Sequence, residues 1–371
     1  MDTAHNRHYV RFLTPCAVAH KCRYGRTKLG TDRVASRAGC LLGLGLRQNA
    51  ARAVKVHSKE DTLSHVVFGT GAVGLALVEH LASAGEEVIA VNRGGHADVP
   101  AGVDVVGGDA SDPEFTSEVV RGATVVYQCL NPPYTRWPEL FPPLQAAVVR
   151  GAAAAGAKLV SFENLYLYGP TGGVPLTEDL PSASTGVKGQ VRARMAADLL
   201  AAHEAGTIRV VIGRASDYFG PRGLISHMGE RVFYPALAGK NAQVMGDPDQ
   251  PHTFSYLPDV GAGLATLGAS DDADGRAWHL PNADTLSTRA FIEKVYGAAG
   301  THGKVSAMPR LMVNLVALFN GNVREIKEVL FEFEEPFVVD SSAFESAFDQ
   351  RATPLEKAIP TTVEWFRANP K

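Results

Sequence analysis

Residues 64–92 read SHVVFGTGAVGLALVEHLASAGEEVIAVN, and this stretch decides the fold. A short apolar run at residues 65–68 is followed by glycines at Gly69, Gly71 and Gly74. Apolar residues then recur at helical spacing over residues 72–84, and a second apolar run occupies residues 87–91. The pattern predicts a strand, a tight glycine turn, a helix and a second strand parallel to the first.

The alternation of strands and helices continues beyond this stretch. Strands are predicted at residues 103–106, 124–127, 158–162 and 208–212, with helices at residues 140–155 and 188–205. Strands that are apolar throughout are typical of a parallel sheet covered by helices on both faces. The fold class predicted is therefore α/β, a doubly wound parallel Rossmann sheet.

The carboxyl-terminal part has a different pattern. After Gly220, helices are predicted at residues 226–237, 258–268, 289–297, 311–319 and 323–333. We interpret this part as a smaller, mostly helical substrate lobe. The predicted organisation is an NAD(P)-binding domain at residues 61–220 and a lobe at residues 221–371 that is interleaved with it.

The composition narrows the class of protein. The chain has 371 residues, of which 45% are hydrophobic and 20% charged, and its net charge is −3. This balance gives no reason to expect nucleic acid or an anionic membrane as a partner. No apolar run approaches the roughly 20 residues of a membrane-spanning helix. We therefore expect a cytoplasmic protein whose partner is a small-molecule substrate.

Residues 1–60 differ from the rest in charge. They contain twelve Lys and Arg against three acidic residues, a net charge of 12 − 3 = +9. This segment is open to interpretation as a transit peptide, as a metal or redox module around Cys16, Cys22 and Cys40, or as a disordered or non-native leader. We favour the leader, because the cysteine spacing matches no zinc pattern and no helical or alternating periodicity is present.

The glycine turn has the spacing of a dinucleotide-binding site. Gly69 permits the tight turn, Gly71 lets the backbone approach a pyrophosphate, and Gly74 lets helix and strand pack closely. The helix amino terminus then offers free N–H groups to the phosphates. The predicted phosphate-binding residues are those of the turn and the first helical turn: Gly69, Thr70, Gly71, Ala72, Val73 and Gly74.

The end of the second strand indicates which cofactor is bound. NAD sites usually place Asp or Glu there, whereas this chain has Asn92 followed by Arg93. Because a guanidinium can pair with a 2′-phosphate, we predict NADP, with NAD as the alternative. Asp109 and Ala110 after the third strand are predicted at the adenine, and Asn131 after the fourth strand beside the ribose.

Three later motifs carry a family resemblance. The chain resembles the short-chain dehydrogenase/reductase superfamily, in its extended branch of NAD-dependent epimerases and dehydratases. The resemblance implies catalysis by a Ser or Thr, a Tyr and a Lys, and a dimer formed through two helices beside the sheet. The motifs are Leu165-Tyr166-Leu167-Tyr168-Gly169-Pro170, Arg214-Ala215-Ser216-Asp217-Tyr218-Phe219-Gly220-Pro221 and His252-Thr253-Phe254-Ser255-Tyr256-Leu257-Pro258-Asp259-Val260.

The catalytic positions of that family are changed in this chain. Lys188 stands at the lysine position, but Ser184 replaces the tyrosine and Asn164 replaces the hydroxyl residue. A serine hydroxyl is too weak an acid to replace a phenol with a pKa of ~10. Tyr166 is the candidate replacement, and three other phenols are predicted at the same edge of the sheet: Tyr134, Tyr168 and Tyr218.

Two functions therefore stay open. The chain is either an NAD(P)-dependent oxidoreductase or epimerase-like enzyme with an altered proton donor, or an NADP(H)-binding regulator without turnover. No histidine or carboxylate cluster has metal-ligand spacing, so no metal is expected. His252 and His279 are interpreted as ordinary polar positions, and the acids at residues 332, 334 and 335 as a solvated helix end.

Overall fold

A computed structural model describes residues 64–308, 325 and 327–371 of the chain. The predicted leader at residues 1–60 and the helix predicted at residues 311–319 lie outside the described residues.

The central element is a seven-stranded sheet in which every neighbouring pair of strands is parallel. The strand order is β7-β6-β5-β4-β1-β2-β3. Because the strands are parallel, their carboxyl ends meet at one edge, where α/β proteins bind ligands. The strands are β1 (Ser64–Phe68), β2 (Glu87–Asn92), β3 (Asp104–Gly107), β4 (Val125–Gln128), β5 (Lys158–Glu163), β6 (Val210–Arg214) and β7 (Ala277–His279).

Nine helices lie in the described ranges. They are α1 (Ala72–Ser83), α2 (Pro113–Val119), α3 (Trp137–Ala155), α4 (Val187–Glu204), α5 (Glu230–Leu237), α6 (Leu257–Ala269), α7 (Thr288–Ala299), α8 (Ser342–Phe348) and α9 (Leu355–Ala368). Short 3₁₀ turns occupy Tyr134–Arg136, Tyr166–Tyr168, Asp271–Ala273 and Lys327–Phe333.

The sheet is covered on both faces, as the apolar strands predict. One core contains Val73, Leu77 and Val78 of α1 together with Val260 and Leu264 of α6. The other core contains residues of α3 and α4. The doubly wound α/β prediction is confirmed.

A separate apolar core forms the smaller lobe. Aromatic rings of α5, α7 and α9 meet in it, including Phe233, Phe291 and Phe366. Three short strand pairs flank these helices: Tyr218–Phe219 with Ser255–Tyr256, Pro251–His252 with Leu286–Ser287, and Ala242–Val244 with Val305–Ala307. The chain crosses between the two parts more than once. Both α6 and β7 follow Gly220 in sequence, but α6 packs on the seven-stranded sheet and β7 is one of its strands.

Two helix predictions in the lobe were wrong in extent. The helix predicted from Ser226 begins at Glu230, because the Ser226 hydroxyl donates to the carbonyl of Tyr218 (2.5 Å) and holds a turn. Of the helix predicted over residues 323–333, residues 323, 324 and 326 lie outside the described residues, residue 325 is helical, and Lys327–Phe333 form a 3₁₀ turn instead of an α-helix. None of the helices in the described ranges is long and apolar enough to span a bilayer.

A prediction follows from the close packing of α1 on α6. A Cβ on Gly261 would lie 2.6 Å from the carbonyl carbon of Ala76. We expect Gly261→Ala to destabilise the protein by about 1–3 kcal/mol, because the two helices must separate. Gly297→Ala is the matched control, since its Cβ on α7 meets no atom within 4 Å. That substitution should stabilise by about 0.4–1 kcal/mol. Urea unfolding measures both, and equal effects would contradict the packing argument.

Candidate functional site

The glycine turn between β1 and α1 has the geometry that its spacing predicts. Gly69 adopts a φ of +101°, and its N–H donates to the carbonyl of Val91 (2.8 Å). A Cβ on Gly74 would overlap the carbonyl oxygen of Gly69, so helix and turn are in direct contact. A Cβ on Gly71 would meet no atom within 4 Å. The turn is therefore tightly packed on its protein side and open at Gly71.

The amino terminus of α1 is chemically suited to an anion. Gly71 is its N-cap residue, no side chain caps the helix, and no acidic residue lies in its first turn. The first N–H groups of a helix have no intrahelical acceptor, and the helix dipole places partial positive charge there. The turn thus presents an uncapped helix end beside open space at Gly71.

Asn92 organises the loop after β2. Its side-chain amide donates to the Thr70 hydroxyl (2.7 Å) and to the carbonyl of His96 (2.9 Å). Its Oδ1 accepts from the N–H groups of Gly94 (2.9 Å) and Gly95 (2.7 Å). Asn92 therefore joins the loop to the glycine turn. The next residue, Arg93, is charged and exposed.

The residues predicted at the adenine and ribose lie along the same edge. Asp109 is exposed, and its Oδ1 accepts from the Ser111 N–H (2.9 Å) and hydroxyl (2.8 Å). These two hydrogen bonds lower the pKa of Asp109, and the charge of Arg93 adds to the effect. Ala110 is buried and Asn131 is exposed after β4.

Two phenols meet at the carboxyl ends of β4 and β5. The Tyr134 hydroxyl lies 2.9 Å from the Tyr166 hydroxyl, and either can be the donor. Tyr166 is buried and stacks on Trp137, with ring centroids 6.0 Å apart, whereas Tyr134 is half-buried. Asn164 accepts the Tyr166 N–H through Oδ1 (3.3 Å).

Both phenols hold their protons firmly. Burial raises the pKa of Tyr134, although the hydrogen bond with Tyr166 acts in the opposite direction. Burial raises the pKa of Tyr166 well above its ordinary value, and the phenol of Tyr134 adds to the effect. Both phenols are therefore protonated near neutral pH, and the site does not favour a tyrosinate.

A buried ion pair lies at the carboxyl ends of β5 and β6. Glu163 at the end of β5 pairs in register with Arg214 at the end of β6, and Arg214 Nε lies 3.3 Å from Glu163 Oε2. Arg214 also donates to the Tyr168 hydroxyl (2.9 Å), which lies 2.8 Å from His279 Nε2 on β7. The pair connects three strands and the turn that carries Tyr166.

Comparison with known proteins gives the family. The model of the NAD dependent epimerase/dehydratase family matches residues 66–280, more than half of the chain. The chain belongs to the NAD-dependent epimerase/dehydratase family. A curated UDP-glucose 4-epimerase of Streptomyces lividans is 28% identical over 165 residues, which cover 39% of this chain and 50% of that protein. The aligned part thus spans about half the length of that relative.

Solved structures share the fold. An epimerase from Methanothermobacter thermautotrophicus superposes with a TM-score of 0.68 at 18% identity, covering 83% of this chain and 93% of that one. A dTDP-glucose 4,6-dehydratase from Bacillus anthracis, solved in complex with NAD, has a TM-score of 0.64 at 15% identity, covering 83% and 97%. At these identities the likeness establishes the fold alone.

In this family member, the Lys188 ammonium forms ion pairs with two glutamates of the same chain. The side chain is 1% exposed, and its Nζ lies 2.5 Å from Glu325 Oε2 and 3.3 Å from Glu328 Oε2. The Lys188 N–H also donates to Glu328 Oε1 (2.6 Å). The ammonium lies 5.8 Å from the ring centroid of Tyr134. The lysine is thus beside the phenol pair, with its charge balanced by two carboxylates.

Ser184 contacts the turn after β5 and the first turn of α4. Its N–H donates to the carbonyl of Leu167 (3.0 Å), and its hydroxyl lies where a Cβ on Gly189 would be. The serine therefore fills the contact between the start of α4 and the turn after β5. Its predicted role in catalysis stays a prediction.

Sequence reasoning missed part of the site. Glu332 was expected at a solvated helix end, and that prediction was wrong, because Glu332 is 2% exposed. Its pKa is raised well above the ordinary value by burial and by the nearby charge of Asp217. His252 lies 3.2 Å from Asp217, between Nε2 and Oδ2. The signal for this cluster was the Asp217 motif, whose partners are distant in sequence.

No metal-binding group of His, Cys, Asp or Glu occurs among the described residues.

The buried carboxyl of Glu332 is expected to lower the free energy of unfolding as the pH rises. Its folded pKa is raised, so above the ordinary pKa of ~4.5 the unfolded state releases this proton and the folded state does not. The cost grows as the pH rises from that point. We expect Glu332→Gln to stabilise the protein at about pH 8 and to change little at about pH 5.

Urea unfolding at the two pH values measures this difference. Glu139→Gln is the control, because Glu139 is exposed and pairs with Arg136 on the helix surface (3.1 Å). That substitution should change stability by a similar small amount at both pH values. A Glu332→Gln protein that gains no stability on going to the higher pH would contradict the prediction.

Proposed function

We propose that this family member binds NAD(P), with a preference for NADP, and acts as an oxidoreductase or epimerase-like enzyme on a carbonyl, hydroxyl or sugar-nucleotide substrate. The observation that carries the proposal is the phenol pair of Tyr134 and Tyr166 at the carboxyl edge of the sheet. This pair supplies the proton-donating group that Ser184 cannot supply.

The cofactor fits the residues present. The space at Gly71 admits a pyrophosphate, and the uncapped amino terminus of α1 supplies N–H donors to it. The exposed Arg93 has the forked donors that a 2′-phosphate accepts. Asn92 is committed to Thr70 and the following loop, so β2 ends without a carboxylate for the ribose hydroxyls.

The chain's own residues then supply one proton to the substrate. When bound, the reduced nicotinamide supplies a hydride to a carbonyl carbon. Tyr134 is the half-buried member of the pair and donates its proton to the carbonyl oxygen. Tyr166 supports it through the 2.9 Å hydrogen bond, and the Asn164 amide orients the substrate oxygen. Water is excluded by the ring of Trp137, which stacks on Tyr166.

An NADP(H)-binding regulator is the second candidate, and the state of Lys188 favours it. The lysine charge is balanced by Glu325 and Glu328, so the ammonium does not promote a tyrosinate. A protein that binds the cofactor without turnover needs no proton donor. The two candidates differ in a single measurement, the oxidation of NADPH in the presence of a carbonyl.

The first prediction of this proposal concerns the cofactor. We expect Arg93→Ala to weaken NADPH binding by about tenfold and to leave NADH binding unchanged, because one charged contact with the 2′-phosphate is lost. Gly71→Val should abolish binding of both cofactors while the protein still folds, since the added atoms occupy the pyrophosphate space. Titration calorimetry measures the affinities. Tighter binding of NADH than of NADPH by the unmodified protein would refute the NADP assignment.

The second prediction concerns the phenol pair. Tyr134→Phe should lower turnover of a carbonyl panel by about 10²-fold or more with cofactor affinity unchanged, because the general acid is lost. Tyr166→Phe should have a smaller effect, and Tyr234→Phe is the control, since that phenol lies in the lobe and bonds to the carbonyl of Asn369 (2.6 Å). NADPH oxidation followed at its absorbance is the assay. Tight cofactor binding with no turnover of any carbonyl, ketone or nucleotide sugar would favour the regulator.

A further inference from the structure

A short segment of the carboxyl-terminal part packs around the phenol pair. We call this segment, residues 325 and 327–331, the strap. Val329 of the strap is 4% exposed and lies in one apolar cluster with Tyr166. Phe331 of the strap and Tyr134 both pack against that cluster. The strap is therefore part of the apolar cover around the phenol pair.

The amino-terminal end of the strap is held by two carboxylates. Glu328 Oε1 accepts the Lys188 N–H (2.6 Å), and Glu328 Oε2 lies 3.3 Å from the Lys188 ammonium. Glu325 Oε2 lies 2.5 Å from the same ammonium. No backbone hydrogen bond in the described part of the chain joins residues 327–331 to another helix or strand. This end of the strap therefore depends on side-chain contacts, and the charged ones all involve a single lysine.

The chain that follows the strap is fixed by its backbone. The Asp247 N–H donates to the carbonyl of Phe333 (2.7 Å). The Phe337 N–H donates to the carbonyl of Pro251 (2.8 Å), and the carbonyl of Phe337 accepts from the Thr253 N–H (2.9 Å). The two ends therefore differ, because backbone hydrogen bonds fix the carboxyl-terminal end and side chains hold the amino-terminal end.

The cluster that contains the strap also buries an arginine. Arg192 is 3% exposed and lies one helical turn after Lys188 on α4. Its guanidinium carbon lies 4.7 Å from the ring centroid of Trp137 and 4.3 Å from that of Phe141. Both rings share the apolar cluster with Val329. The guanidinium Nε has no hydrogen-bond partner in the described part of the chain.

This guanidinium raises the free energy of the closed arrangement. The charge of Glu163 acts on Arg192, but that carboxylate forms its ion pair with Arg214 (3.3 Å). Burial lowers the pKa of Arg192, because the protonated form is separated from water. The aromatic rings offset part of this cost. Movement of the strap away from the cluster would let water reach the guanidinium and would remove the rest.

We propose that the strap is an autoinhibitory segment, closed around the phenol pair in this structure, which opens to let a substrate reach Tyr134. Glu325 and Glu328 hold it closed through Lys188, and the backbone hydrogen bonds from Phe333 onward form the fixed end about which it moves. The role in turnover rests on the proposed function, whereas the opening and closing of the strap do not.

Hydrogen exchange of the full chain, followed by mass spectrometry, measures opening without any activity. Glu325→Gln/Glu328→Gln should speed exchange of the amides of residues 327–331 by about tenfold or more, because the lysine no longer attracts the strap. Exchange in the strands of the sheet should stay as in the unmodified protein. Glu356→Gln/Glu364→Gln is the matched control, since it removes the same two charges from ion pairs on the surface of α9. Equal exchange of the strap in the two variants would overturn the proposal.

A disulfide that locks the strap provides the opposite test. A Cβ on Gly186 would lie 2.8 Å from Glu328 Cγ, so the sulfurs of Gly186→Cys/Glu328→Cys can reach bonding distance. Once the mass confirms the bond, exchange of residues 327–331 should be about tenfold slower or more than in the same protein under reductant. Glu328→Cys alone is the control and should exchange equally under both conditions. A double variant that exchanges at the same rate oxidised and reduced would also overturn the strap.

Kinetics tests the role in turnover. The oxidised Gly186→Cys/Glu328→Cys protein should oxidise NADPH with a carbonyl about tenfold more slowly or less, and reductant should restore the rate, because a locked strap keeps the substrate from Tyr134. An unchanged rate beside slowed exchange would overturn the autoinhibitory role. If the unmodified protein reduces no carbonyl, the proposed function is refuted, while hydrogen exchange still decides whether the strap opens.

Discussion

The site depends on the buried ion pair between Glu163 and Arg214. These residues end two adjacent parallel strands and face each other in register, with Glu163 fully buried. Removing one partner of such a pair costs about 3–5 kcal/mol, because the other charge is left buried without compensation. The two partners thereby fix where β5 and β6 stop. The turns that carry Tyr166 and Asp217 leave the sheet at these ends.

Hydrogen bonds connect this ion pair to the candidate functional groups. Arg214 holds the Tyr168 hydroxyl, and Tyr168 closes the turn that presents Tyr166 to Tyr134. Three residues after Arg214, the chain places Asp217 beside His252. One strand-end contact thus positions a phenol pair on one side and a carboxylate–imidazole pair on the other. Catalysis by positioned proton donors needs this kind of rigidity.

The geometry of the glycine turn could be predicted from sequence because its requirements are local. Gly69 and Gly74 touch each other across a five-residue interval, so their spacing alone indicates the contact. The catalytic side could be predicted only as a set of candidates. Lys188 was found by its position relative to Ser184, but its partners Glu325 and Glu328 lie in a part of the chain whose approach no periodicity reveals. Glu332 was misread for the same reason, since a charge run gives no sign of being buried.

The two carboxylates on Lys188 have a consequence for affinity. A ligand that takes the lysine ammonium must displace Glu325 and Glu328, so the net gain is the difference between two sets of ion pairs. Because such coupling is reciprocal, whatever strengthens the glutamate contacts weakens the ligand by the same factor. The lysine therefore links α4 to the carboxyl-terminal segment thermodynamically, and a ligand bound to its ammonium would loosen the contacts of Glu325 and Glu328.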